Sequence, residues 1–138
     1  MRLDHVGILV EDLEAACAFA RDVLGLGEPT EVRVDRFGLS AAFFDLGAAR
    51  LEFVRFDEPG DRLAPGQRAR IDHVAVEVED LEAQADRLAA HGVRFQGPVR
   101  PDEVTEPVEM RGRRHLWTVP DTAGGFMLQL TEARRTEP

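Results

Sequence analysis

Two segments of the chain repeat the same order of apolar and polar residues. Residues 3–15 (LDHVGILVEDLEA) and 71–83 (IDHVAVEVEDLEA) match at most positions without a gap. In each copy the apolar residues first alternate, which predicts a strand, and then follow helical spacing after an acidic capping residue. Repetition of this kind indicates a structural unit that occurs twice.

Further apolar stretches extend each copy to a βαβββ unit. They predict strands at 31–36, 39–46 and 50–56 in the first copy, and at 93–99, 113–119 and 126–131 in the second. We therefore predict an α+β fold in which two tandem βαβββ modules form one domain. The expected modules are residues 1–56 and 69–133, and together they would form a curved eight-stranded sheet around a cleft, with both helices on its convex side.

Segments rich in glycine, proline and charge separate or follow these elements. Residues 57–68 contain two Pro-Gly breaks and no periodicity, which predicts a linker. Residues 101–107 are expected to form a polar loop, and residues 134–138 a charged tail.

Four polar residues lie within strands that are otherwise apolar. His5 and His73 occupy the same place in the two repeats, and Glu52 and Gln129 each lie between two apolar neighbours. If those neighbours face the helices, alternation turns all four polar side chains to the opposite, cleft side. Buried polar groups need partners, so each imidazole is either bonded to backbone or bound, with the others, to one shared metal ion.

A third histidine is placed by the repeat. Residues 38–43 (GLSAAF) align with residues 112–117 (GRRHLW), which makes His115 the counterpart of Ala41. His115 is then expected to face the cleft, where an imidazole has a suitable pKa for proton transfer. The alternative is an ordinary strand residue near solvent.

Composition and charge narrow the class of protein. The chain has 138 residues, of which 43% are hydrophobic, and a net charge of −9. That charge argues against nucleic acid or an anionic membrane as the main partner, and no apolar run is long enough for a membrane span. The one cysteine, Cys17, excludes an internal disulfide and suits a reducing compartment, so we expect a cytoplasmic protein with a buried structural thiol.

The stretches HVGILVEDLEAACAFARDVLGL, HVAVEVEDLEA and PDTAGGFMLQL resemble the vicinal oxygen chelate superfamily of glyoxalases, bleomycin resistance proteins and dioxygenases. The chain is most similar to its methylmalonyl-CoA epimerases, over about residues 3–131. The resemblance implies an isomerase, epimerase or lyase that moves a proton next to a carbonyl through a metal-bound enediolate. It implies a divalent metal (Co, Ni, Mn, Zn or Fe(II)) and four ligands, which fall here on His5, Glu52, His73 and Gln129.

The chain departs from that family at two positions. Related epimerases usually carry Glu, as ligand and acid/base residue, where this chain has Gln129, and can carry a catalytic Glu where it has Ala41. Because an amide cannot take up a proton, Glu52 and His115 become the expected catalytic residues. Glu52 and Gln129 are then expected to have exchanged roles, which conserves the charge of the site.

Substrate contacts are expected from cleft-side residues. Arg113 would bind a carboxylate or phosphate, or else lie at a solvated strand end. Three apolar side chains would either line the cleft or pack as core: Phe43, Trp117 and Met127.

Two other functions remain open on the sequence. The missing catalytic carboxylates would suit a non-catalytic protein that sequesters a drug or another small molecule. Two His and one Glu also match the ligands of Fe(II) dioxygenases. For the epimerase-like enzyme, the expected substrate is an acyl-CoA or another carbonyl compound. The resemblance also implies a homodimer.

Overall fold

The computed structural model describes residues 1–99 and 102–134; the remainder of the predicted tail and the start of the predicted loop at 101–107 lie outside these ranges. Two α-helices and ten strands are present in the described ranges, with a π-helical segment (Phe19–Val23) directly after the first α-helix and two 3-10 helices (Asp35–Phe37 and Pro120–Thr122). In chain order they are β1 (Arg2–Val10), α1 (Leu13–Ala18), β2 (Thr30–Val34), β3 (Leu39–Asp45), β4 (Arg50–Phe56), β5 (Ala69–Val78), α2 (Leu81–Ala90), β6 (Phe95–Gln96), β7 (Glu103–Val104), β8 (Val108–Met110), β9 (Arg113–Thr118) and β10 (Leu128–Glu132).

The predicted α+β class is confirmed, but the predicted count of eight strands is wrong. The two additional strands are β7, which pairs antiparallel with β6, and β8, which pairs antiparallel with β9. They have only two and three residues, too few for alternation to be visible in the sequence. Pairing with a neighbouring strand satisfies their backbone groups and makes them strands.

Both helices begin with the same cap. The Asp12 carboxylate accepts a hydrogen bond from the Ala15 amide at 3.0 Å, and Asp80 accepts one from Ala83 at 3.0 Å. These bonds satisfy one of the amides that every helix leaves without a partner in its first turn. The repeated sequence therefore produces a repeated local structure, as predicted.

The chain divides into two compact units, residues 5–72 and residues 1–4 with 73–138. In the unit of residues 5–72, β3 lies between β2 and β4 in antiparallel pairing, and β1 runs parallel to β4. Helix α1 covers one face of these strands and buries an apolar cluster that includes Cys17, Phe44 and Phe53. Cys17 is buried as predicted, and that burial raises the pKa of its thiol.

In the second unit, β10 runs parallel to β5 and antiparallel to β9, and β9 also pairs with β6. Helix α2 contributes Leu81 to an apolar cluster that includes Leu116 and Leu130. Since strand residues alternate between faces, this packing turns Gln129 and His115 to the face opposite the helix.

The strand registers agree with the alignment of the two repeats. Phe43 lies opposite Glu52 and Ala41 opposite Val54 in the first unit. Trp117 lies opposite Gln129, and His115 opposite Thr131, in the second. His115 therefore occupies the register position that Ala41 occupies in the first unit.

No helix in the ranges that the structure describes has the length and apolar character needed to cross a membrane.

Candidate metal and substrate site

An imidazole and a carboxylate meet on the face of β1 and β4 that lies opposite α1. His5 Nε2 is 3.4 Å from Glu52 Oε1. The two residues are only 4% and 8% exposed, and Oε1 is shielded from solvent. Phe43 packs edge-on against the His5 ring, with 5.4 Å between the ring centroids. This packing limits the rotation of the imidazole and holds it beside the carboxylate.

His73, also buried, belongs to the same group of potential ligands. One nitrogen or oxygen atom from each of His5, Glu52 and His73 lies within 4.8 Å of the other two. Two imidazoles and one carboxylate are donors that suit divalent transition metals. A cation among them would offset the cost of burying the Glu52 charge, so the residues present fit a divalent metal.

Gln129 takes part in a buried chain of hydrogen bonds. Its amide nitrogen Nε2 is 3.1 Å from His115 Nδ1, which is also 3.1 Å from the Thr131 hydroxyl. The other ring nitrogen, His115 Nε2, is 3.4 Å from the carbonyl oxygen of Met110. Gln129, His115 and Thr131 are 4%, 7% and 1% exposed. Both nitrogens of the His115 ring therefore lie within hydrogen-bonding distance of protein groups.

The apolar residues predicted to line the site are buried. Trp117 is 3% exposed, and its ring lies 5.7 Å from that of His115. Met127 is buried too, and its sulfur accepts a hydrogen bond from the amide of Gln96 at 3.3 Å. Gln96 was not singled out by the sequence, although it lies opposite Trp117 in the strand register.

Arg113 is held by groups of the protein itself. It is 9% exposed, and its Nε donates to the Glu132 carbonyl at 2.9 Å. Its other nitrogens donate to Glu77 at 3.2 Å and to Asp4 at 3.4 Å. The predicted contact of Arg113 with substrate stays a prediction, and these bonds favour a structural role.

Arg50 is a cation near the His5 and Glu52 pair that the sequence analysis did not single out. Its guanidinium lies 4.4 Å from the centre of the Phe43 ring. Arg50 precedes Glu52 by two positions on β4, and alternation therefore places both on one face. The separation of two positions between Arg50 and Glu52 in RLEFVRF could have indicated this.

Comparison with known proteins identifies the family. Residues 2–130 match the model of the Glyoxalase/Bleomycin resistance protein/Dioxygenase superfamily. The chain belongs to this superfamily. Its relatives there include the ethylmalonyl-CoA/methylmalonyl-CoA epimerase of Cereibacter sphaeroides, with 31% identity over 95% of this chain and 97% of the relative.

Solved structures of the superfamily share the fold. The methylmalonyl-CoA epimerase of Mycobacterium tuberculosis superimposes with a TM-score of 0.79 and 29% identity, over 97% of this chain and 89% of that chain. A variant of the Streptomyces coelicolor methylmalonyl-CoA epimerase in complex with 2-nitronate-propionyl-CoA gives a TM-score of 0.80 and 25% identity, over 100% of this chain and 98% of that chain. These structures confirm the fold that the repeated sequence predicted.

Proposed function

We propose that this superfamily member is a metal-dependent epimerase of the methylmalonyl-CoA type. It would move the proton on the carbon between the thioester and the carboxylate of a 2-substituted malonyl-CoA. The observation that carries this proposal is the buried group of His5, Glu52 and His73 in a chain related to such epimerases over nearly its whole length. We further propose that Gln129 is the fourth ligand, through its amide oxygen.

Each residue of the proposed site would have a distinct role in the reaction. A bound divalent metal would act as a Lewis acid and stabilise negative charge on the substrate oxygens. His5 and His73 would hold the metal as neutral nitrogen donors. Glu52 has two oxygens, so one can ligate the metal while the other accepts the proton. Gln129 would complete the ligands without adding charge.

Glu52 is better placed than His115 to carry the proton. It lies in the group of ligand atoms and has a carboxylate oxygen 3.4 Å from His5. His115 has Met110, Thr131 and Gln129 within hydrogen-bonding distance.

The binding-protein and Fe(II) dioxygenase alternatives receive less support, because the relatives that cover most of the chain are epimerases. The identity of the metal among Co, Ni, Mn, Zn and Fe(II), a homodimer and a cytoplasmic location stay predictions.

Exchange of the substrate proton with deuterium tests this function directly. Purified protein loaded with Co²⁺ is expected to exchange the proton on the carbon between the two carbonyl groups of methylmalonyl-CoA in D₂O, which NMR detects. Removal of the metal with a chelator should abolish the exchange, and re-addition should restore it. Protein that holds Co²⁺ but exchanges no proton would contradict the proposed substrate class.

We propose that Arg50 recognises the free carboxylate of the substrate. A 2-substituted malonyl-CoA carries that carboxylate next to the reacting carbon, and an arginine fork suits a carboxylate. Arg50 is half-buried and held over Phe43, on the same strand face as Glu52. Stacking on Phe43 restricts the guanidinium before substrate arrives, which reduces the entropy lost on binding.

Arg50→Leu is expected to raise KM for methylmalonyl-CoA by about 10- to 100-fold, the range for loss of a charge-assisted hydrogen bond, with a smaller change in kcat. Arg36→Leu is the matched control, since Arg36 lies 4.5 Å from the centre of the Phe37 ring in the same unit. Steady-state kinetics of both variants decides the matter. Equal KM values for Arg50→Leu and wild type would contradict the proposed role of Arg50 in binding the substrate carboxylate.

A further inference from the structure

The side-chain amide of Gln129 has two different ends, and only its oxygen can bind a cation. We propose that His115 is a positioning residue that directs the Gln129 oxygen toward the metal; this inference rests on the proposed function. The structure brings the two side chains together through the contact of 3.1 Å between Gln129 Nε2 and His115 Nδ1.

The surroundings of His115 determine which of its nitrogens carries the hydrogen. Nε2 is 3.4 Å from the Met110 carbonyl oxygen, which can only accept a hydrogen bond. We therefore assign the ring hydrogen to Nε2 and the lone pair to Nδ1. The Gln129 amide group and the Thr131 hydroxyl both lie 3.1 Å from Nδ1, and both can donate to it.

This arrangement permits one orientation of the Gln129 amide. With its NH₂ group committed to His115, the amide oxygen points away from the imidazole and is available to the metal. In the reverse orientation the amide oxygen would face the lone pair on Nδ1, and two acceptors would meet in a buried place. The NH₂ group, which has no lone pair to offer a cation, would then replace the oxygen at the metal. Because Gln129 is 4% exposed, water does not compensate for the lost bond.

A glutamate at position 129 would not need such a neighbour. A carboxylate has two equivalent oxygens and presents one to the metal in either orientation. An amide needs a neighbour that accepts from its NH₂ group. The effect of His115 on metal affinity should therefore be present when residue 129 is Gln and absent when it is Glu.

Metal affinity in matched variants tests the proposal. Calorimetric titration with Co²⁺ is expected to show about a 10- to 100-fold weaker affinity for His115→Phe, the usual effect of losing a partner behind a metal ligand. His115→Gln can offer a carbonyl oxygen in place of Nδ1 and is expected to recover most of the affinity. Thr131→Val removes the other donor to Nδ1 without touching Gln129, and its affinity should remain close to that of wild type.

A double-mutant cycle separates positioning from a general loss of packing. In the Gln129→Glu background, His115→Phe should leave Co²⁺ affinity unchanged. An equal loss in both backgrounds would overturn the proposal, as would wild-type affinity in His115→Phe. If His115→Phe keeps its metal but loses turnover and a titration in its pH–rate profile, His115 transfers a proton instead.

The tautomer can be measured without metal. Nitrogen-15 NMR of the metal-free protein is expected to show His115 protonated at Nε2, and a spectrum with Nδ1 protonated would refute the inference even if a variant failed to fold. Wild-type protein that binds no divalent metal would overturn the proposed function together with this inference. Wild-type binding with an unaffected His115→Phe would overturn this inference alone.

Discussion

Replacing both His5 and His73 with alanine is expected to abolish tight divalent-metal binding while the protein stays folded. The change removes two of the three side chains whose ligand atoms lie within 4.8 Å of one another. Since each donor contributes to the free energy of metal binding, losing two of them is expected to weaken binding on the order of 10³-fold or more. The two helix-side clusters contain neither histidine, so the hydrophobic cores that support the fold remain.

His91→Ala is the matched control for this variant. His91 is exposed at the end of α2 and belongs to neither the ligand group nor the core. Metal content after dialysis, measured by elemental analysis, should match wild type in the control and fall to background in the double variant. Circular dichroism should show folded protein in both. A double variant with unchanged metal content would contradict the proposed site.

The second large effect is expected for Glu52→Gln. The substitution keeps the size of the side chain and an oxygen donor but removes the group that would carry the proton. We expect kcat for methylmalonyl-CoA to fall by about 10²- to 10⁴-fold. The rate must be measured at saturating Co²⁺, because loss of the negative charge will also weaken metal binding. If Glu52→Gln keeps its turnover at full metal occupancy, Glu52 does not transfer the proton.

The exchange variant Glu52→Gln with Gln129→Glu tests where the carboxylate must be. It again supplies two imidazoles, one carboxylate and one amide, so we expect its Co²⁺ affinity to return toward that of wild type. It also puts the carboxylate where the resemblance places it in related epimerases, and a measurable part of the turnover should return. Metal binding without any recovery of turnover would show that the two positions have not exchanged roles.

The sequence predicted the parts of the fold that depend on local pattern. The repeat located both capped helices and the two strands that carry His5 and His73, because alternation and capping are properties of short segments. Alternation also placed Glu52 and Gln129 on the face opposite the helices. The short strands β7 and β8 were missed because their formation depends on pairing with β6 and β9, which local sequence does not encode.

Contacts of individual side chains were less predictable. Nothing in the sequence indicated that the Arg113 guanidinium would meet Asp4 and Glu77, which are 109 and 36 positions away. The role of His115 depends on which atoms lie 3.1 Å from Nδ1. Such distances follow from tertiary packing, and a pattern of residue types can place a side chain on a face but cannot orient its hydrogen bonds.

The bonds of Arg113 also have a consequence for the order in which the chain is completed during synthesis. Arg113 is synthesised 109 residues after Asp4, its partner at 3.4 Å. At about 5–20 residues per second, the ion pair between Asp4 and Arg113 can form only about 5 to 20 s after Asp4 is synthesised. The hydrogen bond of 2.8 Å that Arg2 donates to Glu77 likewise forms only after Glu77 has been synthesised. Strand β1 therefore acquires these contacts late, and a nascent chain stalled before residue 113 would leave β1 more accessible to proteases.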